Sequence, residues 1–131
     1  MRVEIKPNKK KKGFFTVIPY GSIDSDSHDN FRQALVKLLV KTTKGILMDL
    51  SQVDYISSAG FGVLFTIQKF LQNQKAELLF CNLKPQIQKL FDVMKVLPSQ
   101  NIFNSIEEAD AYLLNIVKEE IKKQREKDRT D

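Results

Sequence analysis

The sequence predicts an α/β domain: a mixed β-sheet of four to five strands with about four α-helices. Alternating apolar residues open the chain, two short and nearly continuous apolar runs follow, and between and after them apolar residues recur at helical spacing. Met1-Arg-Val-Glu-Ile5 alternates with apolar residues at 1, 3 and 5, and Phe14-Phe-Thr-Val-Ile18 supplies a second β-rich run. The lysine-rich segment between them reads as the turn of a hairpin. Phe31, Ala34, Leu35, Leu38 and Leu39 then fall on one face of a helix, which Gly45 is expected to stop. Ile46-Leu-Met-Asp-Leu50 is the kind of run found in a strand covered on both faces.

A second helix is expected to begin at Ser57 and Ser58 and to carry Val63, Leu64, Ile67, Phe70 and Leu71 on its apolar face. Leu78-Leu-Phe-Cys81 gives another strand. Pro85 suits a first helical turn and precedes Ile87, Leu90, Phe91 and Met94 at helical spacing. Asn101-Ile-Phe103 reads as a short edge strand. Ser105 and Glu108 have the spacing of a capping box, and Ala109, Tyr112, Leu113, Ile116 and Val117 give the helix that follows an apolar face. A hairpin followed by strands alternating with helices implies that the first strand pair is antiparallel and the later strands are parallel. One domain is expected over residues 1–121, with 122–131 a charged tail that frays into solvent.

Composition narrows the function classes. The chain has 131 residues, 42% apolar and 28% charged, as ordinary globular proteins do. No apolar run approaches the ~20 residues of a membrane span, and the Lys-rich start lacks the apolar centre of a secretory signal, so a cytoplasmic protein without a membrane span is expected. A single cysteine, Cys81, with no Cys or His neighbours at ligand spacing, argues against a disulfide or a metal site and reads as a small buried hydrophobe on a strand. The net charge of +5 is matched by Lys6 and Lys9 to Lys12 alone. With no aromatic residue interleaved, those lysines read as a solvated hairpin tip, and no nucleic-acid partner is expected. Gly60-Phe-Gly62 is too short for a dinucleotide fingerprint, no Gly-Lys-Ser/Thr follows it, and no GxSxG elbow frames either serine. No cofactor and no catalytic residue are therefore expected.

The most informative stretch is Asp49-Leu-Ser-Gln-Val-Asp-Tyr-Ile-Ser-Ser-Ala-Gly-Phe-Gly-Val-Leu64, a buried strand running through a loop into a helix. It resembles the signature of STAS domains, in which a strand ending in Asp-hydrophobic-Ser leads to a Ser-Ser/Ala-Gly turn and a Gly-x-Gly-Val-Leu helix start. Gly21-Ser-Ile-Asp24 is similar to the family's Gly-x-hydrophobic-Asp element, and with the span from Asn82 to Ala109 the resemblance covers nearly the whole chain. Within the family it resembles the anti-anti-sigma factors, or anti-sigma factor antagonists. There the serine two residues before the glycine is phosphorylated, which implies Ser58 here. The family often has an acidic residue just before that serine; this chain has Ser57, which makes Ser57 a rival site. The resemblance implies a partner surface of Asp24, Ser57, Ser58, Ala59, Gly60 and Phe61.

The residue types are chemically suited to that role. A serine at a helix start caps free N–H groups, and Gly60 and Gly62 are expected to keep the surface low for another protein's backbone. Phosphorylation would add ~1.5 to 2 negative charges beside the positive end of the helix dipole, which tolerates an anion. The fold is then expected to survive, while the dianion and the neighbouring carboxylate of Asp24 repel a partner docked on neutral serine. The resemblance implies that the unphosphorylated chain binds an anti-sigma factor that is also a serine kinase, freeing a sigma factor, and that a metal-dependent serine/threonine phosphatase resets the cycle. An alternative is a STAS regulatory subunit of a non-transcriptional signalling or transport assembly. A third reading, hydrolysis with Ser58 as nucleophile, requires His28 to reach it as a base.

Overall fold

In the computed structural model the described residues are 1–94, 101–113, 115 and 122. The elements run β1 (Arg2–Pro7), β2 (Phe14–Tyr20), α1 (His28–Val36), β3 (Gly45–Asp49), α2 (Ser58–Asn73), β4 (Glu77–Cys81), α3 (Pro85–Met94) and β5 (Ile102–Phe103). A fourth helix, α4, occupies 106–113. The strands form one sheet in the order β1-β2-β3-β4-β5. Only the β1–β2 pair is antiparallel; β2–β3, β3–β4 and β4–β5 are parallel. The expected α/β architecture is present, including the short edge strand. The tail expected at 122–131 lies outside the described residues, apart from Lys122.

Alternation along the strands sorts the core into two layers. Ile46, Met48, Leu78 and Phe80 face α1, α2 and α3 and pack with Phe31, Leu35, Leu64, Ile67, Leu71, Ile87 and Phe91. Leu47, Leu79 and Cys81 face the other way and are covered by Ala109 and Leu113 of α4. Every residue of β3 is buried, which is why that strand reads as an unbroken apolar run. Pro7, which can donate no ladder bond, sits at the end of the edge strand β1. At α4, Glu108 N–H donates to Ser105 Oγ at 3.2 Å, and Glu108 Oε2 accepts from Asn104 N–H at 3.1 Å, one residue earlier than in the usual box. Cys81 is fully buried, and burial, with the Asp49 charge second, pushes its thiol up to about 12.

One boundary differs from expectation. Helix α1 ends at Val36, not beyond Leu39, and tight turns follow, with Leu38 N–H donating to Leu35 O at 2.9 Å and Leu39 N–H to Val36 O at 3.0 Å. Leu38 is still buried, so the helical spacing recorded burial rather than helix length. Gly45 does not stop the helix; it is the first residue of β3, where a Cβ would come within 2.6 Å of the Phe14 ring. Its missing side chain lets β2 and β3 pair with Phe14 in place. Gly45→Ala is therefore expected to destabilise the domain by about 1–3 kcal/mol through overpacking. A denaturant midpoint unchanged from the parent would show that Phe14 moves aside freely.

Candidate functional site

The residues singled out in the sequence gather at the carboxyl edge of the parallel strands, where open α/β sheets commonly place their sites. Two connections form it, 21–27 between β2 and α1 and 50–57 between β3 and α2. They are joined by backbone bonds: Gly21 N–H to Gln52 O at 2.9 Å, Ile23 N–H to Tyr55 O at 2.9 Å, and Ser57 N–H to Ile23 O at 2.8 Å. Ile23 and Ile56 form an isolated parallel bridge, and both side chains are buried. Gly21 has φ +98, a conformation that favours glycine. Asp49, buried at the end of β3, accepts from Ser51 N–H at 3.0 Å and from the Asn82 side-chain amide at 3.3 Å, tying the turn after β3 to the turn after β4.

The two serines divide the work of a helix start. Ser57 is the N-cap, with φ −81 and ψ 173, and its Oγ accepts from Gly60 N–H at 3.2 Å. Ser58 is the first helical residue; its side chain is exposed, and its hydroxyl makes no hydrogen bond among the described residues. Capping thus falls to Ser57 rather than to Ser58. The unoccupied hydroxyl lies at the positive end of a 16-residue helix. One turn further on, Gly62 is exposed, and a Cβ there would meet nothing within 4 Å. Packing does not require glycine at 62, and glycine inside a helix costs roughly 0.5–1 kcal/mol relative to alanine. The outer face of α2 is left bare beside Ser58.

Two expected surface residues point inward. Gly60 is buried against the β2–α1 connection: a Cβ would come within 2.6 Å of Ile23 O and 2.9 Å of the Cγ2 atoms of Ile23 and Ile56. It allows α2 to approach Ile23 and is not available to a partner. Phe61 is also buried, its ring edge-on to Phe91 at 5.4 Å, and belongs to the core. Ala59 is half-buried. Asp24 follows the Ile23 clip and is half-exposed, but its Oδ1 turns back to accept from Asp26 N–H and Ser27 N–H, each at 3.0 Å. Those bonds, Asp26 first, hold its carboxyl below the usual range. Its charge remains at this edge while its geometry serves the entry to α1.

His28 makes no hydrogen bond to Ser58. Its Nδ1 lies 3.0 Å from Ser25 O and 3.2 Å from Asp24 O, which requires the Nδ1–H tautomer when the ring is neutral, and its Nε2 lies 3.8 Å from Asp29. Among the described residues no cluster of His, Cys, Asp or Glu fits a metal ion. Sequence reasoning passed over Tyr55, an aromatic that is 50% exposed beside the serines. The available signal was its place next to Asp54 in the polar loop, where the two exposed residues lie between buried Val53 and Ile56. Asp54 itself is ion-paired with Lys84 at the head of α3.

Ser57→Ala is expected to cost about 1 kcal/mol through loss of the cap, whereas Ser58→Ala leaves stability nearly unchanged; equal losses in chemical denaturation would contradict this division. In an NMR titration of side-chain carboxyls, Asp24 should lose its proton below the ordinary aspartate value. Because its folded value is depressed, the stability it contributes is present above the unfolded-state value and is lost as pH falls through the folded one. An unshifted Asp24 midpoint would show that its turn bonds do not persist in solution.

A STAS domain family model matches residues 6–109. BtrV of Bordetella bronchiseptica, described as an anti-sigma factor antagonist, is 30% identical over 102 residues, covering 78% of this chain and 88% of that protein. The anti-sigma-B factor antagonist of Listeria monocytogenes is 26% identical over 93 residues, 71% of this chain and 82% of the relative. Among solved structures, the anti-sigma factor antagonist SpoIIAA in its unphosphorylated form superposes with a TM-score of 0.67 at 13% identity, over 87% of this chain and 98% of that one. Its phosphorylated form gives 0.64 at 12%, over 85% and 99%. These structures bear on the fold, which is the same mixed sheet with helices. With its family-model match and the arrangement of its two site loops, the chain belongs to the STAS domain family.

Proposed function

We propose that this domain is an anti-sigma factor antagonist that binds its partner through the Ser58 edge and is switched off by phosphorylation of Ser58. The observation that carries this reading is the separation of capping from exposure. Ser57 holds the helix start, so the neighbouring hydroxyl can be modified without loosening the fold. The relatives are regulatory proteins named for antagonising anti-sigma factors. The partner is an anti-sigma factor with serine kinase activity, which docks on unmodified Ser58 and releases its sigma factor. A metal-dependent serine/threonine phosphatase restores the hydroxyl.

Exposed Ser58, half-buried Ser57 and Ala59, the bare face at Gly62, and Tyr55 form the contact surface, with Asp24 setting its charge. A tyrosine of this exposure offers the large amphipathic contact that interface hot spots favour. Phosphate on Ser58 would be tolerated by the helix N-terminus, so the effect falls on the partner and not on the fold. The chain acts as substrate and ligand and not as an enzyme, a reading supported by the engagement of His28 with loop carbonyls. No helix among the described residues is long and apolar enough to cross a membrane. A cytoplasmic site of action fits a cycle driven by ATP.

A pull-down with unmodified protein, compared with Ser58-phosphorylated protein, identifies what binds only the former, and titration calorimetry against that partner tests the switch. Ser58→Asp should weaken binding by about 1–3 kcal/mol, because a like-charge contact or an unpaired desolvated carboxylate at an interface is costly. Ser58→Ala should bind as the parent does and resist phosphorylation. Equal affinities for the two variants, or a phosphopeptide map that places the modification outside Ser58, would refute the proposal.

A further inference from the structure

We propose that the end of the domain opposite Ser58 binds the surface of an anionic phospholipid membrane. Three connections that are distant in sequence meet at the amino edge of the parallel strands: the β1–β2 tip (8–13), the α1–β3 connection (37–44) and the α2–β4 turn (74–76). Hydrogen bonds hold them together. Lys44 N–H donates to Gly13 O at 2.7 Å, Glu77 N–H to Lys44 O at 3.0 Å, and the Gln74 side-chain amide to Val40 O at 2.9 Å and Thr43 O at 2.7 Å.

This assembly displays exposed Lys9, Lys10 and Lys12 from the first segment, Lys37, Lys41 and Lys44 from the second, and Lys75 from the third. Lys11 turns aside to donate to Asp110 O of α4 at 3.0 Å. Residues 5–23, 30–48 and 68–76 contain no Asp or Glu, so Glu77 and Asp110 border the lysines without interrupting them. No ion pair among the described residues involves these seven lysines. The lysines of the hairpin tip, read alone, look like a solvated turn; together with the other four they form a cationic surface.

Two features select a lipid surface as the occupant. Val36 is 51% and Val40 46% exposed, and they alternate with Lys37 and Lys41, which places aliphatic side chains among the charges as an interface-seeking surface requires. Every exposed cation of the group is a lysine, without the arginine fork that reads phosphates and bases bidentately, and none of the exposed large apolar residues at this end is aromatic, as base stacking requires. The carboxylates of Asp24, Asp26, Asp29 and Asp54 lie at the other edge, so an anionic surface would orient the domain with Ser58 facing away, ~15–20 Å across the sheet. This holds whether or not Ser58 is modified.

The test is co-sedimentation of the full chain with phosphatidylcholine vesicles containing or lacking phosphatidylglycerol. Binding is expected only to the anionic vesicles and should fall as added salt shortens the screening length. Lys41→Gln should lower the partition coefficient roughly fivefold, and the double change with Lys44→Gln about 25-fold, from the contribution of each lysine near a charged surface. Val36→Ser with Val40→Ser should weaken binding severalfold at unchanged charge, with circular dichroism confirming the fold. Failure to bind anionic vesicles at low salt, equal binding to both vesicles, or tighter binding to a nucleic-acid duplex at equal phosphate concentration would overturn the proposal.

Discussion

The close approach of α2 to Ile23 is the constraint on which the site depends. Gly60 permits it, since any side chain at 60 would meet the Ile23 carbonyl and two isoleucine methyl groups. The same carbonyl accepts the Ser57 N–H, so a single peptide group positions the cap, the first turn of the helix and the neighbouring loop. Buried Ile23 and Ile56 fill the space beneath, each worth on the order of 1.5–3 kcal/mol of burial. The edge that carries Ser58 is therefore an extension of the sheet rather than a pair of mobile loops, and a partner that docks there has little backbone freedom to quench.

That rigidity suits the proposed switch, in which a single hydroxyl would carry the signal. A serine used as a cap would couple its modification to helix stability, and any signal would be mixed with local unfolding. Here the cap and the exposed hydroxyl are adjacent residues with different partners, so charge can change at the surface while the backbone bonds beneath it stay as they are.

Much of this was legible in the chain. Alternation, short continuous apolar runs and helical spacing located the five strands and four helices of the described residues, because each pattern follows from which faces of the element are buried. The boundary of α1 was not legible: Leu38 and Leu39 fit a helical face, yet they pack from tight turns, and spacing alone does not distinguish the two. Ser57 and Ser58 were placed correctly at the helix start, but which of them caps it depends on an Oγ direction that no pattern encodes. Gly60 and Phe61 looked like surface residues because they sit beside the serines, whereas one turn of helix carries them onto Ile23 and Phe91. The lysine end was invisible for a related reason, since its three segments are separated by dozens of residues and meet only when the sheet forms.

The chain's single thiol gives the core a chemical clock. Cys81 reacts with alkylating reagents only as the thiolate, and burial on β4 holds its ionisation up to about 12 while the sheet and α4 remain closed. In the native state it is expected to be silent. Labelling of this sulfur therefore counts opening events of the β3–β4 centre, and a cysteine placed deliberately on the surface would be derivatised alone, without first removing the natural one.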